Sequence, residues 1–223
     1  MLTRKIPSSG ESLPVIGLGT WIQFDVADNS SEKPQLTEVL KTLRTKGGSL
    51  IDSSPMYGRS EKVVGDLTSQ LSADEFFYAT KVWTTGKNEG IDQIKSSFAK
   101  MQRTTMDLLQ IHNLVDLQTH LQTLRKMKEE GTIRYIGITH YQSSYHAELE
   151  RIICTEPVDF VQFNYSVLSR NAEKSLLPTA ADNGVAVIIN EPFEKGKLFD
   201  KVRNKTLPIG QMKLAFNPGQ NSF

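Results

Sequence analysis

Apolar runs recur along the chain at a steady beat. Short clusters rich in Val, Ile and Phe fall at 15–17, 50–52, 76–81, 106–111, 133–138, 158–163 and 185–189. They lack strict apolar–polar alternation, as expected of strands covered on both faces. Between them lie stretches with helical spacing, at 35–46, 60–70, 92–101, 117–130, 143–154 and 172–183. In the fourth, Leu117, Leu121, Leu124 and Met127 mark one face, and Gly131 supplies a stop. Strands and helices alternating at roughly 25–30 residues per unit predict βα repeats around a parallel sheet. Residues 5–14, with Ser8, Ser9, Gly10 and Glu11 at their centre, read as a small β-hairpin placed to cap the floor of the sheet.

A doubly wound sheet and a closed barrel both produce this rhythm, and the polar residues decide between them. Asp52, Lys81 and His112 stand at the carboxyl ends of successive strands, where a barrel builds its site, rather than at one switch point. The expected fold is therefore α/β, a TIM-type (β/α)8 barrel with an N-terminal hairpin. No Val/Ile-rich run after 189 serves as an eighth strand or announces a closing helix. The barrel is accordingly expected to be incomplete, spanning 1–200, with an atypical tail at 201–223.

Composition narrows the class. Lys and Arg number 26 against 25 Asp and Glu, a net charge of +1, and the charges are interspersed. That balance argues against a nucleic-acid or anionic-membrane surface. No stretch approaches the roughly 18 apolar residues of a membrane span, and the amino terminus lacks the apolar core of a secretory signal. The single Cys154 excludes an internal disulfide framework and fits a reducing compartment. A soluble, cytoplasmic protein is the expectation, with no residue grouping that reads as a metal site.

The candidate chemistry begins at Leu50-Ile51-Asp52-Ser53-Ser54-Pro55-Met56-Tyr57-Gly58-Arg59-Ser60-Glu61, where a carboxylate and a phenol leave an apolar strand together. Lys81 and His112 add an amine and an imidazole from later strand ends. A phenol, an ammonium, a carboxylate and an imidazole point to proton donation by the phenol, and so to reduction of a carbonyl. A free phenol titrates near 10, so it is a poor acid at neutral pH unless its neighbours tune it. Other groups have plainer readings. Cys154 reads as a buried helix residue, His120 and His146 as solvated helix residues, and the Lys126–Glu130 run as a solvated face.

These elements, in order, resemble the aldo-keto reductases. The likeness runs from Gly17-Leu18-Gly19-Thr20-Trp21 through Asp52…Tyr57-Gly58-x-Ser60-Glu61, Ala79-Thr80-Lys81 and Asp107…His112. It continues through Gly137-Ile138-Thr139-His140 and Val161-Gln162-Phe163-Asn164 to Pro192…Gly196-Lys197-Leu198, roughly residues 1–200. Gly17-x-Gly19 is not a Rossmann fingerprint, since no third glycine follows in place. The resemblance implies NADP(H) across the barrel mouth, a small-molecule carbonyl substrate, and Asp52, Tyr57, Lys81 and His112 as catalytic residues, with a Lys81 ammonium held by Asp52 lowering the pKa of the Tyr57 phenol. It implies cofactor contacts from Gly19, Thr20, Trp21, Asp52, Thr139, His140, Gln162, Asn190, Phe193 and Gly196. Trp21, Trp83 and His112 are implied at the substrate. Thr139 and His140 stand where the family more often has Ser and Asn, and Asn190 where it commonly has a nicotinamide-stacking Tyr. The residues that usually grip the 2′-phosphate follow the eighth strand and have no counterpart here. The alternative is a catalytically impaired remnant of the barrel that acts at most as a binding or assembly module.

Overall fold

Strands β1 (Thr3–Lys5) and β2 (Ser12–Pro14) pair antiparallel, with Arg4 opposite Leu13. In the computed structural model, which describes residues 1–71 and 75–203, this hairpin closes one end of a curled parallel sheet. Tyr135 of the sheet donates its hydroxyl to Glu11 at 2.6 Å, and Arg134 forms ion pairs with Glu11 and Asp107. Ile6 and Leu13 continue the interior from below. The expected floor cap is present.

The sheet has seven strands in chain order: β3 (Leu18–Gly19), β4 (Leu50–Asp52), β5 (Phe77–Val82), β6 (Met106–His112), β7 (Ile133–His140), β8 (Phe160–Asn164) and β9 (Ala186–Asn190). Every neighbouring pair is parallel. Helices α1 (Lys33–Thr45), α2 (Ser60–Thr68), α3 (Lys87–Lys100), α4 (Leu117–Glu129), α5 (His146–Thr155) and α6 (Leu176–Asp182) follow the strands in turn, and α7 (Lys197–Val202) follows β9. This is an open, TIM-type (β/α) barrel. Among the described residues β3 and β9 are its two edges and do not pair with each other. The tail expected at 201–223 lies, beyond Arg203, outside the described residues.

Alternation along each strand divides the core in two. Outward-facing Ile51, Tyr78, Leu109, Ile136, Ile138 and Val161 pack against helix residues such as Val63, Ile94, Leu121 and Ile152. Inward-facing Leu50, Phe77, Ala79, Leu108, Tyr135 and Phe160 fill the lower lumen, where Phe77, Tyr135 and Phe160 meet at ring separations of 5.5–6.2 Å. Both strand faces are covered, so neither reads as polar in the sequence. Continuing up the same inward-facing rows, one step past the apolar fill, come Asp52, Lys81, Gln110 and Gln162. The apolar floor therefore fixes the height at which the polar site begins.

Candidate active site

Four strands bring these side chains to one level. Lys81 Nζ donates to both Asp52 carboxylate oxygens, at 2.9 and 2.8 Å, and to the Ser53 carbonyl at 2.6 Å. Gln110 Nε2 donates to Asp52 Oδ1 at 3.1 Å, and Gln162 Nε2 to Oδ2 at 3.0 Å. A carboxylate only accepts, so both amides must turn their nitrogens toward it. Their Oε1 atoms consequently face away, buried and without a hydrogen-bond partner among the described residues. Gly137 makes this possible: a Cβ there would lie 2.8 Å from Gln110 Cγ.

Tyr57 stands over the ion pair on the loop after β4, with the Lys81 ammonium 5.1 Å from the centre of its ring. Each fixed letter of the Tyr-Gly-x-Ser-Glu element holds it there. Tyr57 N–H donates to the Ser54 carbonyl at 3.0 Å, and Ser60 N–H to the Tyr57 carbonyl at 3.1 Å. Gly58 has φ +59°, and a Cβ would come within 2.4 Å of the Asp25 carboxylate, which accepts the Arg59 N–H at 3.0 Å. The Ser60 hydroxyl donates to the Thr20 carbonyl at 3.2 Å, tying the turn to β3. Glu61 accepts the Thr80 hydroxyl at 2.6 Å, tying α2 to β5.

The phenol's acidity differs from the sequence expectation. Burial raises its pKa above the ordinary value, and the Asp52 charge adds to that; Lys81 pulls it down but does not prevail. The reason is geometric, because an ammonium chelated by a carboxylate presents little net field to a third group. His112 meets Tyr57 edge-on at a ring separation of 6.0 Å and lies 6.5 Å from Trp83. Burial, then the Lys81 and His140 charges, depress its pKa to about 3, so the imidazole is neutral at ordinary pH. Its Nδ1 is 3.0 Å from Ser54 Oγ.

The mouth is apolar. Trp21 and Trp83 are 51% and 42% exposed, and Met56 and Phe193 join them on the rim. Lys195 lies 5.3 Å from the Trp21 ring centre and pairs with Glu191 at 3.1 Å, linking the loop after β9 to the loop after β3. Gly19 and Gly196 each face space in which a Cβ would meet nothing within 4 Å among the described residues.

The other expected cofactor residues divide. Thr20 turns its hydroxyl inward, to Ser53 Oγ at 2.9 Å and the Asp52 carbonyl at 3.2 Å, so its side chain joins β3 to β4. Thr139 is buried at the top of β7, opposite Gln162. His140 accepts the Gln142 N–H on Nδ1 at 3.2 Å and stacks on Tyr145 at 3.5 Å. Asn190 ends β9, and Phe193 packs on Phe199 at 5.1 Å. The plainer readings of three residues are corrected. Cys154 is exposed, on the outer side of α5. His120 is fully buried and bonds the Thr84 carbonyl at 2.8 Å, and His146 is buried against Asn164 Oδ1 at 3.1 Å. Sequence reasoning missed Ser54, Gln110 and Lys195. Gln110 was signalled by being polar inside an apolar run, whereas nothing in the sequence pointed to Lys195.

A sequence profile of the Aldo/keto reductase family matches residues 15–217. The chain belongs to the aldo/keto reductase family. Among curated relatives it is similar to the aldo-keto reductase YhdN of Bacillus subtilis, with 25% identity covering 88% of this chain and 63% of the relative. It is also similar to an NADH-specific methylglyoxal reductase of Escherichia coli, with 28% identity covering 93% of this chain and 72% of the relative. The chain thus spans about two thirds of the length of these reductases. It superposes on a thermostable aldo-keto reductase in complex with epalrestat at a TM-score of 0.75 and 26% identity, covering 92% of this chain and 80% of that one. An aldo-keto reductase from Klebsiella pneumoniae in complex with NADP and acetate gives 0.75 at 24% identity, with coverage of 92% and 74%. Among the described residues no helix is long and apolar enough to cross a membrane, and no cluster of His, Cys, Asp and Glu forms a metal site.

Proposed function

We propose that this protein is an NADP(H)-dependent oxidoreductase that reduces a small aldehyde or ketone to the alcohol, with Tyr57 as proton donor. The observation that carries the reading is the phenol set over the buried Lys81–Asp52 pair and beside the neutral His112 at the barrel mouth. The residues present fit the cofactor. The orphaned Gln162 Oε1 is a buried acceptor suited to a carboxamide N–H, and the backbone at Gly19 and Gly196 is free for close approach. Thr139 and His140 close β7, Asn190 closes β9 and Phe193 follows it, so these residues lie at the carboxyl end of the sheet, as do Thr20 and Trp21 after β3 and Asp52 at the end of β4. Bound there, the reduced cofactor NADPH would supply the hydride.

The remaining work falls to the chain's own groups. Trp21 and Trp83 hold the apolar body of the substrate and reduce water access. His112 donates a hydrogen bond to the carbonyl oxygen and aims it at Tyr57. The phenol passes its proton to that oxygen as negative charge develops, and Lys81 then faces a phenolate it can stabilise. The raised phenol pKa keeps Tyr57 protonated, which is the form a reductase needs.

The test uses the only two tryptophans, both at the mouth. Titration with NADPH and, separately, NADH should quench their fluorescence saturably, and the purified chain should oxidise NADPH with methylglyoxal or an aromatic aldehyde. Tyr57→Phe should lower kcat by at least about a hundredfold with cofactor affinity unchanged. A cooperative melt without quenching would overturn the enzyme reading in favour of a binding role. Turnover unaffected by Tyr57→Phe would remove the phenol from the mechanism.

A further inference from the structure

We propose that Ser54 is a positioning residue that fixes the tautomer of His112, holding Nδ1 as an acceptor so that Nε2 carries the proton offered to the carbonyl oxygen. The inference deepens the reductase reading and rests on it for its catalytic consequence. A neutral imidazole has one donor nitrogen and one acceptor, and a neighbour decides which is which. If Nδ1 held the proton, Nε2 would meet the carbonyl oxygen as a second lone pair, and the contact would be repulsive. Something must therefore bias the ring.

The neighbour is Ser54, 3.0 Å from Nδ1 and, like His112, buried. A hydroxyl can donate or accept, and its other contacts set its direction here. Ser54 Oγ accepts the Met56 N–H at 3.4 Å, and among the described residues His112 Nδ1 is the one acceptor within reach of its own proton, so only by donating to Nδ1 does the buried hydroxyl satisfy that proton. The Ser54 carbonyl accepts the Tyr57 N–H, and the same residue thereby fixes the backbone of the proton donor and the ring of the hydrogen-bond donor. Asp52, Ser53 and Ser54 leave β4 in succession. Asp52 holds Lys81, Ser53 holds Lys81 through its carbonyl and Thr20 through its hydroxyl, and Ser54 holds His112. The short exit from β4 therefore orients Lys81, His112 and, through the Ser54 carbonyl, the backbone of Tyr57.

The experiment is long-range 1H–15N correlation of the histidine rings in the 15N-labelled full chain, assigned by comparison with His112→Gln. Wild-type protein should show His112 with an acceptor-type Nδ1 and a protonated Nε2. Ser54→Ala should give averaged shifts from mixed tautomers. It should also lower kcat/KM at least about tenfold, with NADPH affinity within twofold of wild type. Ser54→Thr, which keeps the hydroxyl, should restore both the ring signature and turnover. A wild-type ring protonated on Nδ1 would overturn the proposal even if every variant failed to fold. So would a Ser54→Ala protein with the wild-type ring signature. If wild-type protein reduces no carbonyl, the reductase reading fails, while the ring nitrogens still decide the role of Ser54.

Discussion

Lys81 and Asp52 are charged groups removed from water, with side-chain exposures of 2% and 11%. Their attraction offsets the desolvation of both, so removing one partner costs more than removing the pair, typically about 3–5 kcal/mol. Lys81→Met should therefore lower unfolding stability by about 3 kcal/mol in urea titrations and abolish turnover. Lys81→Met combined with Asp52→Asn should recover most of the stability and none of the activity. Equal melts for the single variant and wild type would show that the two glutamine amides already on the carboxylate are enough to hold its charge. His112 carries a separate pH signature. Its folded pKa of about 3 lies below the unfolded value near 6.5. Between those values the unfolded chain binds the extra proton, and stability falls as pH drops from 6.5 toward 3. His112→Gln should flatten that part of a stability profile measured from pH 7 to pH 4. It should leave the profile above pH 7 unchanged.

Helix α2 shows how a local rule and a tertiary contact can disagree. Alanine normally stabilises a helix interior by about 1 kcal/mol relative to glycine. At Gly65, however, a Cβ would lie 2.2 Å from the Lys100 carbonyl oxygen and 3.0 Å from Met101 Cα. That is backbone at the end of α3, which cannot swing aside as a side chain can, and overpacking typically costs about 1–3 kcal/mol or more. The clash outweighs the propensity, so Gly65→Ala should lower the melting temperature; a rise would mean that α2 and α3 are free to separate. The same distinction explains what the sequence disclosed. Strands covered on both faces stand out as Val/Ile runs, and β4 to β9 fall within two residues of their expected bounds. The first was expected at 15–17, but Val15 and Ile16 are exposed and pairing starts at Leu18, where β3 has one neighbour among the described residues. Helix α3 begins at Lys87, five residues early, since Gly86 at φ +97° sets the turn and Lys87-Asn88-Glu89-Gly90 carries no apolar stripe. The candidate catalytic side chains were legible because each sits in a local motif. The bonds that orient them join residues such as Ser54 and His112, 58 positions apart, and no local pattern records such a bond.

Across the whole molecule, burial is uneven around the sheet. Strands β5 and β6 have neighbours on both sides, helices outside and a filled lumen inside, and are almost wholly buried. Strand β9 pairs with β8 alone among the described residues, and all five of its residues are half-buried. Cooperative stability follows local packing, so the amides of β5 to β8 should exchange slowly and those of β3 and β9 orders of magnitude faster. Two truncations of similar volume put the gradient in energetic terms. Leu109 in β6 and Ile189 in β9 both face the helices, the first fully buried and the second half-buried. Leu109→Ala should cost the usual core penalty of about 2–5 kcal/mol. Ile189→Ala removes contacts on one side only, and water already reaches its position, so its cost should be less than half as large. Equal costs would mean that the β9 edge is covered in solution, either by residues beyond Arg203 or by a second copy of the chain. Chemical denaturation across a hundredfold range of protein concentration separates these cases, because only coverage by a second copy makes the Ile189→Ala penalty depend on concentration.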